Sequence, residues 1–311
     1  MRRSEFIRAV AGGVLTLSLP RLCGEALAAE RKPLRFGILT DVHYADRERS
    51  GTRYYRDSLA KVGEAVEAFR RAKVDFIIEL GDLKDTTPQS EAAPTLRFLD
   101  DVERTLLSSG IDTYHVLGNH DMDCLSKEEF LSHTFNAGSA RGKAFYSFKK
   151  RGVRCVVLDA NFNEDFSPYA RGNFDWRKAY IPREQIEWLD AELTKHRREP
   201  TLTFLHQLLD SFSDISPNLC VGNASEVVAV LERHRQVAAV FQGHHHPGHY
   251  SSRHGIHYLT VQGMIEQAAP ASAYAIVEMS ADGKLFIFHP GMEPFHLNHQ
   301  GSIAGMTAEE I

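Results

Sequence analysis

The chain has 311 residues, 43% apolar and 25% charged, with a net charge of −5. This is ordinary globular composition for one large domain or two small ones, without a repeat or low-complexity tract. The acidic balance argues against a broad electrostatic footprint for duplex nucleic acid.

Residues 1–28 read as an export leader. Arg2, Arg3 and Arg8 form a basic start, Ala9 to Leu19 is an apolar run too short to span a bilayer, and Pro20 breaks it. Ala26-Leu27-Ala28 supplies small residues for a signal peptidase. The arginine pair ahead of Phe6-Ile7 resembles twin-arginine signals, although Ser4 and Glu5 make the spacing one residue too long. The expected mature chain is therefore periplasmic or extracellular, with no transmembrane segment. Of four cysteines, Cys23 lies in this leader. Cys124, Cys155 and Cys220 are odd in number and form no Cys-x-x-Cys pair, so neither a disulfide framework nor a zinc ribbon is expected.

The body, residues 33–298, starts with alternating strand and helix patterns. Leu34 to Thr40 reads as a strand and Tyr55 to Lys73 as a helix, with Leu59, Val62, Val66 and Phe69 on one face. Val74 to Leu80 is a second strand. Leu96, Leu99, Val102 and Leu106 mark a second helix that stops near Gly110. Ile111 to Leu117 is a third strand. This order predicts parallel strands with crossover helices.

The pattern then changes. Ala144–Phe148 and Val153–Asp159 read as a hairpin. A helix follows Pro182, with Ile186, Leu189 and Leu193 on one face. Leu202–Leu205 and Val237–Phe241 are strands flanking a helix from Asn223 to His234, where Asn223 and Glu226 suggest a capping box. Ile256–Val261, Tyr274–Met279 and Leu285–His289 are expected as closing antiparallel strands, the last two joined by a turn at Ala281–Lys284. Residues 299–311 read as a tail. The segments after residue 140 predict a second sheet packed on the first, with helices outside both.

Five polar clusters stand at the carboxyl ends of these strands: Asp41-Val42-His43, Gly81-Asp82 with Asp85, Gly118-Asn119-His120-Asp121, His206, and Gly243-His244-His245-His246. Ligands of open α/β sheets bind at such ends. Each cluster alone has a plainer explanation as a turn or a structural histidine. Together they supply the oxygen and nitrogen donors that two divalent metals roughly 3.5–4 Å apart require. In an extended segment residues i and i+2 point the same way, which selects Asp41 with His43 and His244 with His246. The expected grouping is Asp41, His43, Asp82 and His246 on one metal. The other takes Asp82, Asn119, His206 and His244, with Asp82 bridging. Mixed nitrogen and oxygen donors favour manganese, iron or zinc over magnesium or calcium.

Two aspartates and a bridging hydroxide offset only part of the charge of two divalent ions. The centre would stay locally cationic and attract phosphate. The expected chemistry is attack on phosphorus by the bridging hydroxide. His120 is expected to donate to the leaving oxygen or to the charged transition state, with Asp121 orienting it and Asp85 in support.

The clusters resemble the calcineurin-like metallophosphoesterase superfamily over about residues 34–290. That resemblance implies an α/β fold, a four-layer α/β/β/α sandwich of two mixed sheets, and a hydrolytic dinuclear site. A departure is Gln207-Leu208, where a proline often stands two residues after the histidine. Three further segments resemble the manganese-dependent ADP-ribose/CDP-alcohol diphosphatases: Gly51-Thr-Arg-Tyr-Tyr-Arg56 leading into Ser58-Leu59, Gly248–Ser251 with Gln262–Glu266, and Gln185 with Trp188-Leu189. That family often has glutamine where this chain has His43, and export is a further departure.

The closer resemblance implies cleavage of the phosphoanhydride of a small nucleoside diphosphate derivative, with manganese preferred. Arg53, Tyr54, Tyr55 and Arg56 are then expected at the substrate rim, arginine for a distal phosphate and tyrosine for stacking. Their alternative role is to cap and pack the first helix. Asn161 and Phe162 are further rim candidates. Two other functions compete: an exported phosphomonoesterase or phosphodiesterase of broad specificity, and a non-catalytic metal- or phosphate-binding protein.

Overall fold

The computed structural model describes residues 7–10, 14–18, 32–281 and 284–288. Two sheets pack face to face. The first has seven strands in the order β1-β2-β13-β12-β3-β4-β5. They are β1 (Ile7–Val10), β2 (Val14–Ser18), β3 (Leu34–Leu39), β4 (Phe76–Glu79), β5 (Thr113–His115), β12 (Ala275–Met279) and β13 (Lys284–Phe288). The second runs β10-β11-β9-β8-β7-β6. Its strands are β6 (Tyr146–Lys150), β7 (Val153–Val157), β8 (Thr201–Phe204), β9 (Val237–Gln242), β10 (His249–Arg253) and β11 (Ile256–Thr260).

Side-chain alternation builds the layers. Phe36 and Ile38 of β3, Phe76 and Ile78 of β4, Cys155 and Val157 of β7, and Phe241 of β9 meet between the sheets. The intervening residues point outwards. Ile77 meets Val62, Val66 and Phe69 of α1 (Asp57–Ala72) and Leu99 and Val102 of α2 (Ala92–Leu107). On the other side, Val156 and Val240 meet Leu189 and Leu193 of α4 (Arg183–Lys195) and Val227 and Leu231 of α5 (Ala224–Arg233). A short α3 (Lys127–His133) follows the third polar cluster and starts on a Ser126–Glu129 capping box. The result is the α/β/β/α sandwich.

The inner layer is tied by aromatic pairs, Phe36 on Phe76 at 4.9 Å between centroids and Phe204 on Phe241 at 5.4 Å. Phe36 also meets Phe204 and Phe241 edge-on. Each such ring buries apolar area worth about 1.5–3 kcal/mol.

Several expectations change. β11 runs parallel to β9 and is antiparallel only to β10, a strand absent from the sequence reading. Asn223 does not cap α5, because its side-chain amide pairs with both the N–H and the carbonyl of Ile181. β12 and β13 do pair antiparallel. The Asp282-Gly283 part of their turn and the tail at 299–311 lie outside the described residues. β1 and β2 come from the segment read as a leader. They pair antiparallel, β2 also pairs with β13, and Leu17 is buried between the sheets. No helix among the described residues is long and apolar enough to cross a membrane.

Candidate metal centre

All five clusters arrive at one point. β3, β4, β5, β8 and β9 end side by side, and the chain beyond each carries its donors inwards. Asp41 N–H donates to the Gly81 carbonyl at 3.0 Å and His43 N–H to the Asp82 carbonyl at 2.9 Å. Val42 turns away into the layer beneath α1. The i/i+2 pairing is therefore real, but its backbone is not extended. Asp41, His43, Asp82 and His244 have φ of 51°, 47°, 59° and 67°. For residues with a Cβ this left-handed region costs roughly 1–2 kcal/mol each. Such strain persists where the surroundings over-determine it. Close approach is part of those surroundings: a Cβ on Gly118 would lie 2.1 Å from the Asp82 amide nitrogen.

Three groups of donors form: Asp41, His43 and His246; Asp82, His206 and His244; and His43, Asp85 and His120. In the first, His246 Nε2 is 3.2 Å and His43 Nε2 3.7 Å from Asp41 Oδ1. In the second, His206 Nε2 is 3.2 Å from Asp82 Oδ2, with His244 beside it. Asp82 Oδ2 joins the first two groups, being also 3.5 Å from His43 Nε2.

The atoms not facing the centre are already engaged. Asp41 Oδ2 accepts from Thr40 Oγ1 and from the His244 N–H. Asp82 Oδ1 accepts the His120 N–H at 2.7 Å, so a single oxygen, Oδ2, is left to face both groups. His206 Nδ1 donates to the Leu80 carbonyl at 2.8 Å and His246 Nδ1 to Glu266 at 2.7 Å, which leaves each Nε2 lone pair towards the centre.

The donor set fits divalent metal. Asp41 Oδ1, Asn119 Oδ1 and the Nε2 atoms of His43, His206 and His244 are buried with no hydrogen-bond partner. An unsatisfied buried polar atom costs about 1–3 kcal/mol, and native proteins rarely cluster five of them. Without metal the groups perturb one another strongly. Burial opposes charge, yet His246, His43 and His206 hold the Asp41 carboxyl well below its ordinary range. Burial lowers the His206 and His246 imidazoles, but Asp82 and Asp41 outweigh it and raise them to about 10 and about 9. Burial and the neighbouring His206 push His244 down to about 3.

His120 lies over this centre. Its ring stands 4.8 Å from that of His43, and its side chain is 25% exposed where His43 and His206 are fully buried. Its Nδ1 faces Asp123 at 3.5 Å. The orienting role expected of Asp121 is corrected. Asp121 spends both oxygens on the backbone N–H groups of Asp82, Leu83 and Gly118, because it lies beneath the turn that presents Asp82. Asp123 and the buried Lys84, which contacts both Asp123 and the His120 carbonyl, are the groups behind His120. Asp85 stands 3.6 Å from His43 Nδ1, beyond hydrogen-bond distance.

The Arg53–Arg56 segment divides. Tyr55 is buried against Ala45 and Ile265, so it cannot line a rim. Arg56 is exposed and held by Asp46 and Glu48, and Tyr54 accepts from Arg49. Arg53 pairs through its backbone with Glu266, and its charge acts on His246. Of the other candidates, Asn161 is buried and braces the Leu117 carbonyl and Gln207. Phe162 lies beneath the Lys127 ammonium.

Two features escaped sequence reasoning. The first is a loop of about twenty residues between Asn161 and Ile181. Loops of that length in compact domains are usually functional. Arg171 ties it to the Cys124 carbonyl, and it sets Phe174 6.2 Å from the His120 ring and the exposed Trp176 5.9 Å from the His244 ring. Two aromatics two residues apart, Phe174 and Trp176, in a polar loop were the available signal. The second is a cavity of about 310 Å³ beside His246, walled by Thr52, Gln262, Glu266 and Ser272. Its wall is fastened from behind by Lys61 of α1. The fully buried ammonium donates to the carbonyls of Met264, Glu266 and Gln267 at 2.6, 3.3 and 2.9 Å.

Known proteins resemble this chain over most of its length. A profile of the calcineurin-like phosphoesterase family matches residues 34–248. A manganese-dependent ADP-ribose/CDP-alcohol diphosphatase of Danio rerio is 27% identical over 300 residues, spanning 79% of this chain and 92% of that one. A 3′,5′-cyclic-nucleotide phosphodiesterase of Nostoc sp. is 27% identical over 234 residues, spanning 74% and 78%. The crystal structure of a dimetal phosphatase from Danio rerio superposes with a TM-score of 0.69 at 25% identity, covering 82% of this chain and 99% of that one.

Proposed function

We propose, from the premise that the chain belongs to the calcineurin-like phosphoesterase family, that it hydrolyses the phosphoanhydride of nucleoside diphosphate derivatives of the ADP-ribose or CDP-alcohol kind. It would use two divalent ions, manganese preferred, held by Asp41, His43, Asp82 and His246 and by Asp82, Asn119, His206 and His244. The observation that carries this reading is the convergence of unpartnered donor atoms in two groups that share Asp82 Oδ2.

Bound ions of this kind supply Lewis acidity and a water-derived nucleophile near neutral pH. The chain's own residues do the positioning. Thr40 and the His244 amide fix the Asp41 carboxylate, and the His120 amide fixes that of Asp82. Leu80 and Glu266 set the tautomers of His206 and His246. The His120 side chain donates a proton or a hydrogen bond to the phosphoryl group as charge moves to the leaving oxygen. Trp176, exposed beside His244, offers a face for a base.

The names of the diphosphatase relatives support the substrate class, and the cyclic-nucleotide phosphodiesterase favours a second reading, a broader phosphodiesterase on the same centre. One panel separates them. Hydrolysis of ADP-ribose and CDP-choline is compared with that of a cyclic nucleotide, AMP and an aryl phosphomonoester, with manganese and with zinc. The diphosphate derivatives should have the highest kcat/KM. Preference for monoesters defeats both readings, and preference for the cyclic diester selects the second.

A further inference from the structure

The cavity beside His246 shares a wall with the metal centre but contains none of the donors other than His246. At about 310 Å³ it stands at the small end of ligand cavities, which run to roughly 1,000 Å³, and suits a single ring. What lines it is selective. Among the described residues no phenylalanine, tyrosine or tryptophan lines it, so these residues give it neither a stacking surface for a base nor an aromatic cage for a quaternary ammonium. No described lysine or arginine lines it, so they do not equip it to hold a second phosphate.

What it does offer is a set of hydroxyls and amides. Thr52, Gln262, Gln267 and Ser272 are all in the lining. Gln262 donates one amide N–H to the Pro247 carbonyl at 3.2 Å, which leaves its second N–H and its oxygen for a ligand. Glu266 is engaged on both sides, by His246 and by Thr52. Ser272 is the informative member. It is only 9% exposed, and its Oγ is buried with no hydrogen-bond partner. A buried hydroxyl without a partner is uncommon in native structures and calls for an explanation. A ligand hydroxyl would supply one. The wall behind these groups is held by the Lys61 ammonium, so the cavity is formed in advance of any ligand.

We propose that this cavity binds the hydroxylated, uncharged ring of a pentose-like sugar attached to the substrate's phosphate, with Ser272, Gln262 and Thr52 as its hydrogen-bonding residues. Within the proposed function this favours a sugar-terminated diphosphate over a choline-terminated one, and only that placement rests on the earlier reading. The pocket itself needs only that a phosphate sit on the neighbouring centre.

Calorimetry on the full-length, manganese-loaded protein tests it with ribose 5-phosphate and phosphocholine. Each carries one phosphate monoester, so the contribution of the metal centre cancels in the ratio of the two dissociation constants. Ribose 5-phosphate should bind at least about tenfold more tightly, through several hydrogen bonds each giving roughly twofold to tenfold. Ser272→Ala and Gln262→Ala should each shrink that ratio by about threefold or more. Equal or tighter binding of phosphocholine overturns the proposal, as does a ratio that neither substitution moves. Neither ligand contains a phosphoanhydride. A failed substrate panel with a sugar-selective cavity therefore removes the diphosphatase reading and keeps the pocket. A successful panel with an unselective cavity does the reverse.

Discussion

The two flanks of the metal centre are built from opposite materials. Beside His246 the chain makes a concave, aromatic-free wall of hydroxyls and amides, clamped from behind by Lys61. Beside His120 and His244 it makes a long loop that presents Phe174 and Trp176, the latter exposed. On the proposed function, this asymmetry matches a substrate with two chemically different ends, one planar and one polar.

The largest way to break this contrast is at the reacting atoms between the flanks. His120→Ala should lower kcat about 10²- to 10⁴-fold on every substrate while the protein keeps its full metal content by elemental analysis. Loss of metal on that substitution would show His120 to be a ligand. Next comes the polar flank. Glu266→Gln leaves His246 without its carboxylate and should weaken metal affinity about 10- to 100-fold in a chelator competition, with kcat at saturating metal far less affected. An unchanged affinity would mean that His246 is oriented by packing alone. The smallest effect belongs to the aromatic flank. Trp176→Ala should raise KM for ADP-ribose by about five- to a hundredfold through lost stacking, and Trp176→Phe should recover most of it. A fall in kcat with KM unchanged would instead assign the loop to closure over the reacting atoms.

The centre was more legible in the sequence than its surroundings. Parallel strands put their carboxyl ends in one place, so a polar cluster after each apolar run is a spatial statement as much as a linear one. That is why Asp41, Asp82, Asn119, His206 and His244 could be grouped from widely separated segments. The backbone route was misread, because the left-handed φ at four ligand-bearing positions follows from contacts between loops that no local pattern records. Asp121 was misassigned for a similar reason: it neighbours His120 in sequence, but the Asp82 and Leu83 amides of another turn, with the Gly118 amide of its own, converge on its carboxylate. The Arg53–Arg56 segment looked like a binding motif because charge and aromaticity are what such motifs share. Packing decided otherwise for Tyr55, while Arg56 stays exposed in surface ion pairs with Asp46 and Glu48. Trp176 and the Ser272 hydroxyl left little trace, since an exposed aromatic or a lone serine in a loop is unremarkable until its neighbours are known.

The clamp made by Lys61 bears on how the cavity wall tolerates substitution. It grips the 264–267 segment only through main-chain carbonyls, which every residue type carries. Side chains along that wall can therefore be exchanged while the main chain that also carries Glu266, and through it His246, stays in place. A side-chain substitution along that wall would therefore leave the Lys61 grip, and the main-chain position of Glu266, intact.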